Sequence, residues 1–447
     1  MSASTPVRYP DLRAPDVMTR RAWWLVGLNL LIPGSAQLVA GNRRLGRFGV
    51  SMTFALWLLL AIALAGWWFA RPAVYAVLTN AIGLTVVQVL LVAYALLWIV
   101  LTFDTLRLVR LVKTWPLARG FIASLAVVAL VLVAGTAGFG SYLAGVTRGA
   151  VSAIFNSGEY AGPVNGRYNI LLLGGDAGPD RTGLRPDSMS VVSVDAATGR
   201  STMIGIPRNM EQIRFAKGSP LDGPFPNGYD CGDKCLISFL YTYGEEHPKL
   251  YPDALKHGSG PGIEAMRDAI SGVLGITLQY YVLIDMQGFA DLIDSLGGIT
   301  IDVKQRQPIG GGEDRNGQPI NVVGWVEPGV QKMNGFTALW YSRARHGTND
   351  YDRMARQRDV QEAILKQFAP GNVLTKFQAV AEAGVQVVKT DIPFVMLGIF
   401  VNLADQARKL PITRLELVPP NFDPARPDYA KIDKAVASSL APATPTP

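Results

Sequence analysis

Three long apolar runs without a single charge, all within the first 150 residues, constrain the fold of this chain more than any other feature. They occupy residues 48–70, 73–103 and 120–146. A bilayer core of ~30 Å is crossed by about 20 apolar residues in a helix. We therefore predict membrane-spanning helices at about 48–70, 78–103 and 120–146, within a membrane region that covers residues 22–146.

A shorter apolar stretch, residues 22–41, is interrupted at Asn29, Pro33-Gly34-Ser35 and Gln37 and is flanked by arginines on both sides. Because Lys and Arg near membrane segments prefer the cytoplasm, both ends of this stretch are expected on the same side. We predict an interfacial or re-entrant helix pair that turns at Pro33-Gly34. Three spans then leave residues 1–21 in the cytoplasm and the long C-terminal part outside the cell. A four-span alternative would put an Arg-rich N-terminus outside or the long domain inside.

The net charge of +7 is unevenly distributed along the chain. The first 150 residues hold 13 Lys and Arg against three acids, which gives +10, so the rest of the chain carries −3. The positive charge therefore orients the membrane spans, and the mildly acidic outer part argues against a nucleic-acid partner. An apolar fraction of 49% with 17% charged residues excludes a disordered chain.

The C-terminal part alternates short apolar strands with amphipathic helices after a linker at 147–166. This alternation predicts an α/β fold, a layered α-β-α domain around a central, mostly mixed β-sheet, over residues 167–435. Strands at 188–195 and 201–207 form a predicted hairpin. The Pro- and Thr-rich end suggests a disordered tail at 436–447.

Cys231 and Cys235 are the two cysteines of the chain, and they lie four residues apart in a Gly- and Pro-rich insert. Two cysteines without nearby histidines cannot form a structural zinc site. A local disulfide is allowed outside the cytoplasm, and a surface-loop staple is a simpler interpretation than a redox role.

Two acids flank one predicted loop. Asp176 ends the first apolar strand and Asp187 begins the second. Carboxylates at a strand's C-terminal end could share Mg²⁺ with water and substrate phosphates. Alternatively, each could simply cap a turn.

Arginines are concentrated in two further segments. Arg208 follows the third strand, and residues 341–358 hold several Arg and few acids. Arg353 and Arg356 are three apart, and Gln357 lies four after Arg353, so they are neighbours on a helix. Because Arg binds phosphate oxygens in a bidentate manner, the cluster suggests a pyrophosphate ligand rather than a solvated basic face.

Five motifs in a fixed order make the sequence resemble a known family. They are NILLLGGD (169–176), RPDS (185–188), IPRN (206–209), DSLGGITIDV (294–303) and YSRARHGTNDYDRMARQ (341–357). Together they resemble the LytR-CpsA-Psr family of cell-envelope phosphotransferases, strongly over residues 165–370 and weakly to 435.

The resemblance implies a membrane-anchored, multi-pass bacterial enzyme whose catalytic domain is extracytoplasmic. It implies the transfer of a glycan phosphate from a polyprenyl-pyrophosphate lipid to a peptidoglycan hydroxyl, assisted by Mg²⁺. Carried over by motif, Asp176 and Asp187 are the metal ligands, and the catalytic residues are Asp176, Asp187, Arg208 and Arg345. The residues implied to bind the pyrophosphate are Arg185, Arg208, Arg343, Arg345, Arg353, Arg356 and Gln357.

Three positions depart from the family pattern. Asn209 replaces the usual Asp, Pro186 replaces a small hydroxyl residue, and Arg358 follows Gln357 where a second Gln is usual. Two alternatives therefore stay open: a hydrolase that cleaves the lipid pyrophosphate, and a non-catalytic membrane-anchored regulator that binds lipid or glycan.

Overall fold

A computed structural model describes residues 7–155, 159–176, 185–314, 318–344, 349–367 and 388–442. The chain divides into two compact units, Met1–Arg148 and Gly149–Pro447. Each unit is described by itself.

The N-terminal unit is helical. Within its described residues, three helices are long and apolar enough to cross a membrane, over Arg43–Phe69, Ala81–Lys113 and Pro116–Gly149. Most of their side chains are exposed to the surroundings, as expected for lipid-facing helices. The helices are α1 (Pro15–Leu31), α2 (Ser35–Ala40), α3 (Arg43–Phe69), α4 (Arg71–Leu78), α5 (Ala81–Val109) and α6 (Pro116–Ile154).

Helices α1 and α2 are joined by a tight turn at Gly34, which has a φ of 98°. A Cβ at Gly34 would lie 2.6 Å from the backbone nitrogen of Val50, so only glycine allows the turn to pack on the start of α3. Gln37 is fully buried and donates to the carbonyl oxygen of Leu101 at 2.9 Å and to Oγ1 of Thr105 at 3.0 Å. The helix pair is therefore fixed to the start of α3 and the end of α5.

The C-terminal unit is built on a mixed sheet of six described strands, in the order β11-β4-β1-β2-β3-β12. Strands β1, β2 and β3 form an antiparallel meander, β4 runs parallel to β1, and β12 runs parallel to β3. These strands are β1 (Arg167–Asp176), β2 (Arg185–Asp195), β3 (Ser201–Ile206), β4 (Tyr280–Asp285), β11 (Val388–Thr390) and β12 (Thr413–Glu416). The structure thus confirms the predicted mixed α/β sheet.

The described part of the unit also contains three smaller two-stranded ladders and seven further α-helices. The ladders pair β5 (Ile299–Val303) with β10 (Gly329–Met333), β6 (Gln307–Ile309) with β9 (Gly324–Val326), and β7 (Gly312–Glu313) with β8 (Pro319–Ile320). The helices are α7 (Leu240–Glu246), α8 (Pro261–Leu274), α9 (Met286–Leu296), α10 (Gly335–Arg343), α11 (Asp350–Gln367), α12 (Phe394–Ala407) and α13 (Tyr429–Leu440).

Alternating residues of the strands cover both faces of the sheet, because successive side chains of a strand point to opposite faces. Leu171 and Leu173 pack into a buried core with Met266 and Ile270 of α8. Ile170 and Leu172 face the other side and line a cavity with residues of α9, α10 and α11. The predicted α-β-α layering is therefore present.

Two predicted boundaries were wrong. The linker predicted at 147–166 begins as helix, because α6 continues to Ile154. The tail predicted to be disordered from residue 436 is helical at its start, because α13 continues to Leu440. Ile432 and Val436 lie one helical turn apart and are buried in the core beside α8, and this apolar pair stabilises the helix up to the start of the Pro-rich end.

The insert between β3 and α8 is fixed in two ways. Cys231 and Cys235 form a disulfide. Ser219 Oγ and Tyr251 OH donate to Oδ2 of Asp268, at 2.6 and 2.8 Å. Burial raises the pKa of Asp268 by more than these two hydrogen bonds lower it.

Candidate active site

A cavity of about 650 Å³ lies between one face of the sheet and helices α9, α10 and α11. Most of its wall is apolar, with contributions from strands and helices alike. The wall includes Ile170, Leu172, Val192, Val282, Phe289 and Ile364. A cavity of this size and composition suits an apolar ligand or the apolar part of one.

The cavity is polar at one end. Strand β2 and helix α11 both run along its length, from Asp187 to Val192 and from Arg353 to Ile364. Both stretches are about 16 Å long at the usual rise per residue of a strand and a helix. Asp187, Ser188, Ser342, Arg343, Arg353 and Gln357 line the polar end. The cavity therefore has a charged end and an apolar end about 16 Å apart.

A β-bulge brings Asp187 to the polar end. Gly174 of β1 pairs with Ser188 and Gly175 pairs with Pro186, so Asp187 is the extra residue between them. A Cβ at Gly174 would lie 3.0 Å from Cβ of Ser188, tighter than ordinary contact, so glycine allows the close approach. Bulges often redirect a side chain next to a functional site.

Opposite charges alternate around Asp187. Nη1 of Arg208 donates to Oδ1 of Asp187 at 2.5 Å, and Nε of Arg208 lies 3.4 Å from Oδ2 of Asp350. Arg353 donates to the same Asp350 oxygen at 3.1 Å and to the backbone oxygen of Asp187 at 3.4 Å. Burial lowers the pKa of Arg208, but the two carboxylates raise it by more, so this guanidinium stays charged.

Three further side chains complete the polar end. Arg353 is almost fully buried, with 4% of its side chain exposed. Nε2 of Gln357 donates to the carbonyl oxygen of Ser342 at 3.4 Å, and its buried Oε1 has no hydrogen-bond partner among the described residues. Arg343 is exposed and its guanidinium carbon lies 5.4 Å from the ring centre of Trp340. The guanidinium groups of Arg343 and Arg353 and the amide nitrogen of Gln357 can donate to an anion that enters the cavity, whereas Oε1 of Gln357 can only accept.

Arg356, one of the residues predicted to bind the pyrophosphate, contacts backbone carbonyl groups in the structure. Nε of Arg356 donates to the carbonyl oxygen of Tyr341 at 3.0 Å, and Nη2 donates to that of Ala344. Burial lowers the pKa of this guanidinium. Arg356 thus satisfies carbonyl groups at the end of α10, which helix ends otherwise leave unpaired. Arg356 therefore stabilises the end of α10 beside the polar end of the cavity.

Three other predicted site residues cannot be placed in the same detail. Asp176 and Arg185 face each other as backbone partners in the β1–β2 ladder, and their side chains lie outside the described residues. Arg345 lies entirely outside the described residues.

Two residues of the candidate site were not among the residues predicted from the sequence. Asp350 bridges Arg208 and Arg353, and its i,i+3 spacing from Arg353 was a usable signal. Gln361 lines the cavity one helical turn after Gln357, and its side chain exchanges hydrogen bonds with Ser190 at 3.3 to 3.4 Å. No local pattern marks a partner so far away along the chain.

Two known proteins are similar to part of this chain. Biofilm regulatory protein A of Streptococcus mutans is 30% identical over 50% of this chain and 50% of its own length. A protein of Halalkalibacterium halodurans named polyisoprenyl-teichoic acid–peptidoglycan teichoic acid transferase TagU is 26% identical over 50% of this chain and 61% of its own length. The chain thus spans only half to three-fifths of these relatives.

A solved structure, that of TagV from Bacillus subtilis, has 23% sequence identity and a TM-score of 0.44 over 61% of this chain and 97% of its own. The sequence model of the LytR_cpsA_psr family matches residues 148–419. Since this match covers more than half of the chain, and the motifs around the charged end of the cavity lie inside it, the protein is a member of the LytR_cpsA_psr family.

Proposed function

We propose that this protein transfers a glycan phosphate from a polyprenyl-pyrophosphate carrier to a hydroxyl group of peptidoglycan. The observation that supports this function best is the cavity with one charged end. The pyrophosphate of such a lipid would occupy the charged end of the cavity, and part of its apolar chain would occupy the apolar end. The name of the Halalkalibacterium halodurans relative refers to a transfer of the same kind.

The arginines of the charged end would neutralise and orient the pyrophosphate. Arg208 and Arg353 are held in place by Asp350, so they need little rearrangement to meet an anion. Arg343 on the rim can turn from Trp340 towards a phosphate oxygen. Phosphoryl transfer depends mainly on such positioning and charge neutralisation.

The reaction balances without an added oxidant or reductant. The acceptor hydroxyl oxygen attacks the phosphorus that carries the glycan, and a new phosphoester bond forms. The bond from this phosphorus to the bridging oxygen breaks, so polyprenyl phosphate leaves with the electron pair. A carboxylate accepts the hydroxyl proton, and Asp187 and Asp176 are the candidates.

Mg²⁺ is a proposed cofactor, and the donor chemistry is compatible with it. Among the described residues, no group of three or more His, Cys, Asp or Glu could hold a metal ion by itself. Mg²⁺, however, is commonly bound through one or two carboxylates together with substrate phosphates. Asp187 and Asp176 would hold the ion, which would supply further neutralisation of phosphate charge.

The membrane arrangement is also part of the proposal. The three apolar helices anchor the chain, and the arginines at 43–47 and 107–119 favour a cytoplasmic location for the ends next to them. The α1–α2 pair packs against these same ends of α3 and α5. Three crossings would then place the C-terminal unit outside the cell, where peptidoglycan is found.

One experiment separates this function from its alternatives. The full-length protein in nanodiscs is incubated with labelled lipid-linked glycan and peptidoglycan fragments, with and without Mg²⁺. Transfer yields labelled peptidoglycan and polyprenyl phosphate. Free glycan phosphate without labelled peptidoglycan would show a hydrolase instead, and bound but intact lipid would show a receptor.

Two variants control this experiment. Arg208→Ala should abolish transfer, whereas Arg306→Ala should not change it. Arg306 is an exposed arginine that stacks on Trp325 at 4.0 Å and does not line the cavity. Equal losses in both variants would contradict the site assignment.

A further inference from the structure

Helix α11 carries Arg353 and Gln357 into the cavity, and a row of residues across the sheet determines where this helix lies. Leu172 pairs with Ser190, Ser190 pairs with Gly205, and Gly205 pairs with Glu416. Cross-strand partners share one face of a sheet, so these four residues all lie on the face that α11 covers. The row is apolar at Leu172 and polar at Ser190 and Glu416, and Gly205 between these two has no side chain.

A buried ion pair joins α11 to the polar half of this row. Arg358 is fully buried, and its Nε lies 3.6 Å from Oε1 of Glu416. Its Nη1 donates to Oε1 of Gln361, and Nε2 of Gln361 donates to Ser190 at 3.3 Å. Burial lowers the pKa of Arg358 by more than the nearby Glu416 carboxylate raises it, so that the pKa is about 10.

Gly205 makes room for this pair. A Cβ at Gly205 would lie 1.9 Å from Oε2 of Glu416, so any side chain there would displace the carboxylate. A glycine in the middle of a strand otherwise weakens it, and a close approach of another group is a common reason for its presence. The sheet is therefore shaped to hold Glu416 beneath α11.

The charges next to the buried pair specify one register. Arg414 lies two residues before Glu416 on the same face of β12, and it binds Asp359 at 2.7 Å and also Glu362. If α11 slid by one turn, about 5.4 Å, Arg358 would move towards Arg414 and lose its carboxylate partner. Placing like charges together disfavours the shifted arrangement.

We propose that the Arg358–Glu416 pair is a positioning device for catalysis: it fixes the register of α11 on the sheet so that Arg353 and Gln357 lie at the charged end of the cavity. Neither Arg358 nor Glu416 lines the cavity, so neither needs to touch the substrate. The inference deepens the proposed transfer reaction and rests on it. Buried ionic groups specify a single arrangement in some proteins, at a cost in stability that apolar residues would avoid.

The test removes one charge, then both. Glu416→Gln leaves Arg358 buried without a counter-charge, so α11 should shift and kcat for transfer should fall about 100-fold, as expected for a misplacement of about 1 Å. The double variant Arg358→Gln/Glu416→Gln contains two neutral amides of similar size. It should recover most of the lost kcat, since neither charge is left uncompensated.

A second buried ion pair provides the matched control. Arg267 donates to Asp391, which is 6% exposed and also accepts from the backbone nitrogen of Tyr281 at 2.8 Å. Tyr281 lies near the start of β4, whereas the charged end of the cavity is at the strand's other end. Asp391→Asn should lower Tm as Glu416→Gln does and leave kcat unchanged at a temperature where both variants are folded.

Binding of geranylgeranyl pyrophosphate to the same nanodisc samples keeps the two proposals distinguishable. If wild type binds this probe but transfers no glycan, the proposed function is wrong, and the inference is judged from binding alone. Weaker binding by Glu416→Gln, restored in the double variant, then supports it. A folded Glu416→Gln protein that matches wild type in kcat and in probe binding overturns the inference. A wild-type protein that binds no probe also overturns the inference.

Discussion

Asp187, the residue that bulges out of β2, is bound through Oδ1 to Nη1 of Arg208 at 2.5 Å. The pair brings together the start of β2 and the second residue after β3, at the charged end of the cavity. A change of charge at Asp187 or Arg208 is therefore the most direct test of the site.

Asp187→Asn should reduce transfer at least about 100-fold, the usual scale for losing a positioned acid–base group. The amide keeps the size of the side chain and the geometry of the bulge but removes the negative charge. Turnover measured with lipid-linked glycan, beside a Tm measurement, checks this expectation. Wild-type turnover in the variant would exclude Asp187 from both metal binding and proton transfer.

Arg208→Lys should lower transfer almost as much as Arg208→Ala, because lysine keeps the charge but cannot bind Asp187 and Asp350 from one planar group. A comparison of kcat and KM for the two variants measures this. If lysine restored most of the activity, charge alone would be sufficient at this position.

Gln357→Glu should weaken binding of a polyprenyl pyrophosphate more than Gln357→Leu does. The glutamate has nearly the same shape, but it places a negative charge where the pyrophosphate is expected. Titration of geranylgeranyl pyrophosphate at two salt concentrations separates repulsion from a change of shape. Equal affinities of the two variants would place the pyrophosphate elsewhere.

Ile364→Trp should narrow the apolar end of the cavity and raise KM for long polyprenyl carriers more than for short ones. Ile364 lies about 16 Å from the charged end, so a short carrier does not reach it. Val323→Trp is the control, because Val323 lies directly before β9 and is 79% exposed. A uniform rise in KM for all chain lengths would argue against this orientation of the lipid.

Asp268→Asn should change how stability depends on pH. The raised pKa of Asp268 means that the protonated acid favours the folded state. This contribution is complete below the ordinary carboxyl pKa of 3.8 and is lost as the pH rises through the raised value. The variant lacks it, so Tm of wild type relative to the variant should fall as the pH rises above about 4. A constant difference in Tm would show that Asp268 does not titrate in this range.

The large features of the fold were predictable from local patterns. Uncharged apolar runs predicted the three long helices, and the alternation of strands and helices predicted the mixed sheet. The helical extension to Leu440 was missed because the composition of the last residues concealed the amphipathic pair Ile432 and Val436.

The site was less predictable, since it depends on side-chain direction and on distant partners. Arg353 and Arg356 share a helix face by spacing, yet Arg356 is drawn to carbonyl groups at the end of α10, which the spacing cannot reveal. The bulge at Asp187 depends on how Gly174 and Gly175 pair with the neighbouring strand. Glu416 and Arg358 are far apart along the chain, and only the register of β12 brings them together.

The place of Glu416 in the sheet also determines when a site can exist during synthesis. The membrane helices and the β1–β2–β3 meander are complete by Ile206, but the partner of Arg358 is made about 210 residues later. At about 5–20 residues per second, the ribosome needs roughly 10–40 s to add that stretch. The apolar helices of the growing chain are thus made well before α11 can take the register that we propose, so the proposed carrier lipid cannot be bound productively until β12 has been made.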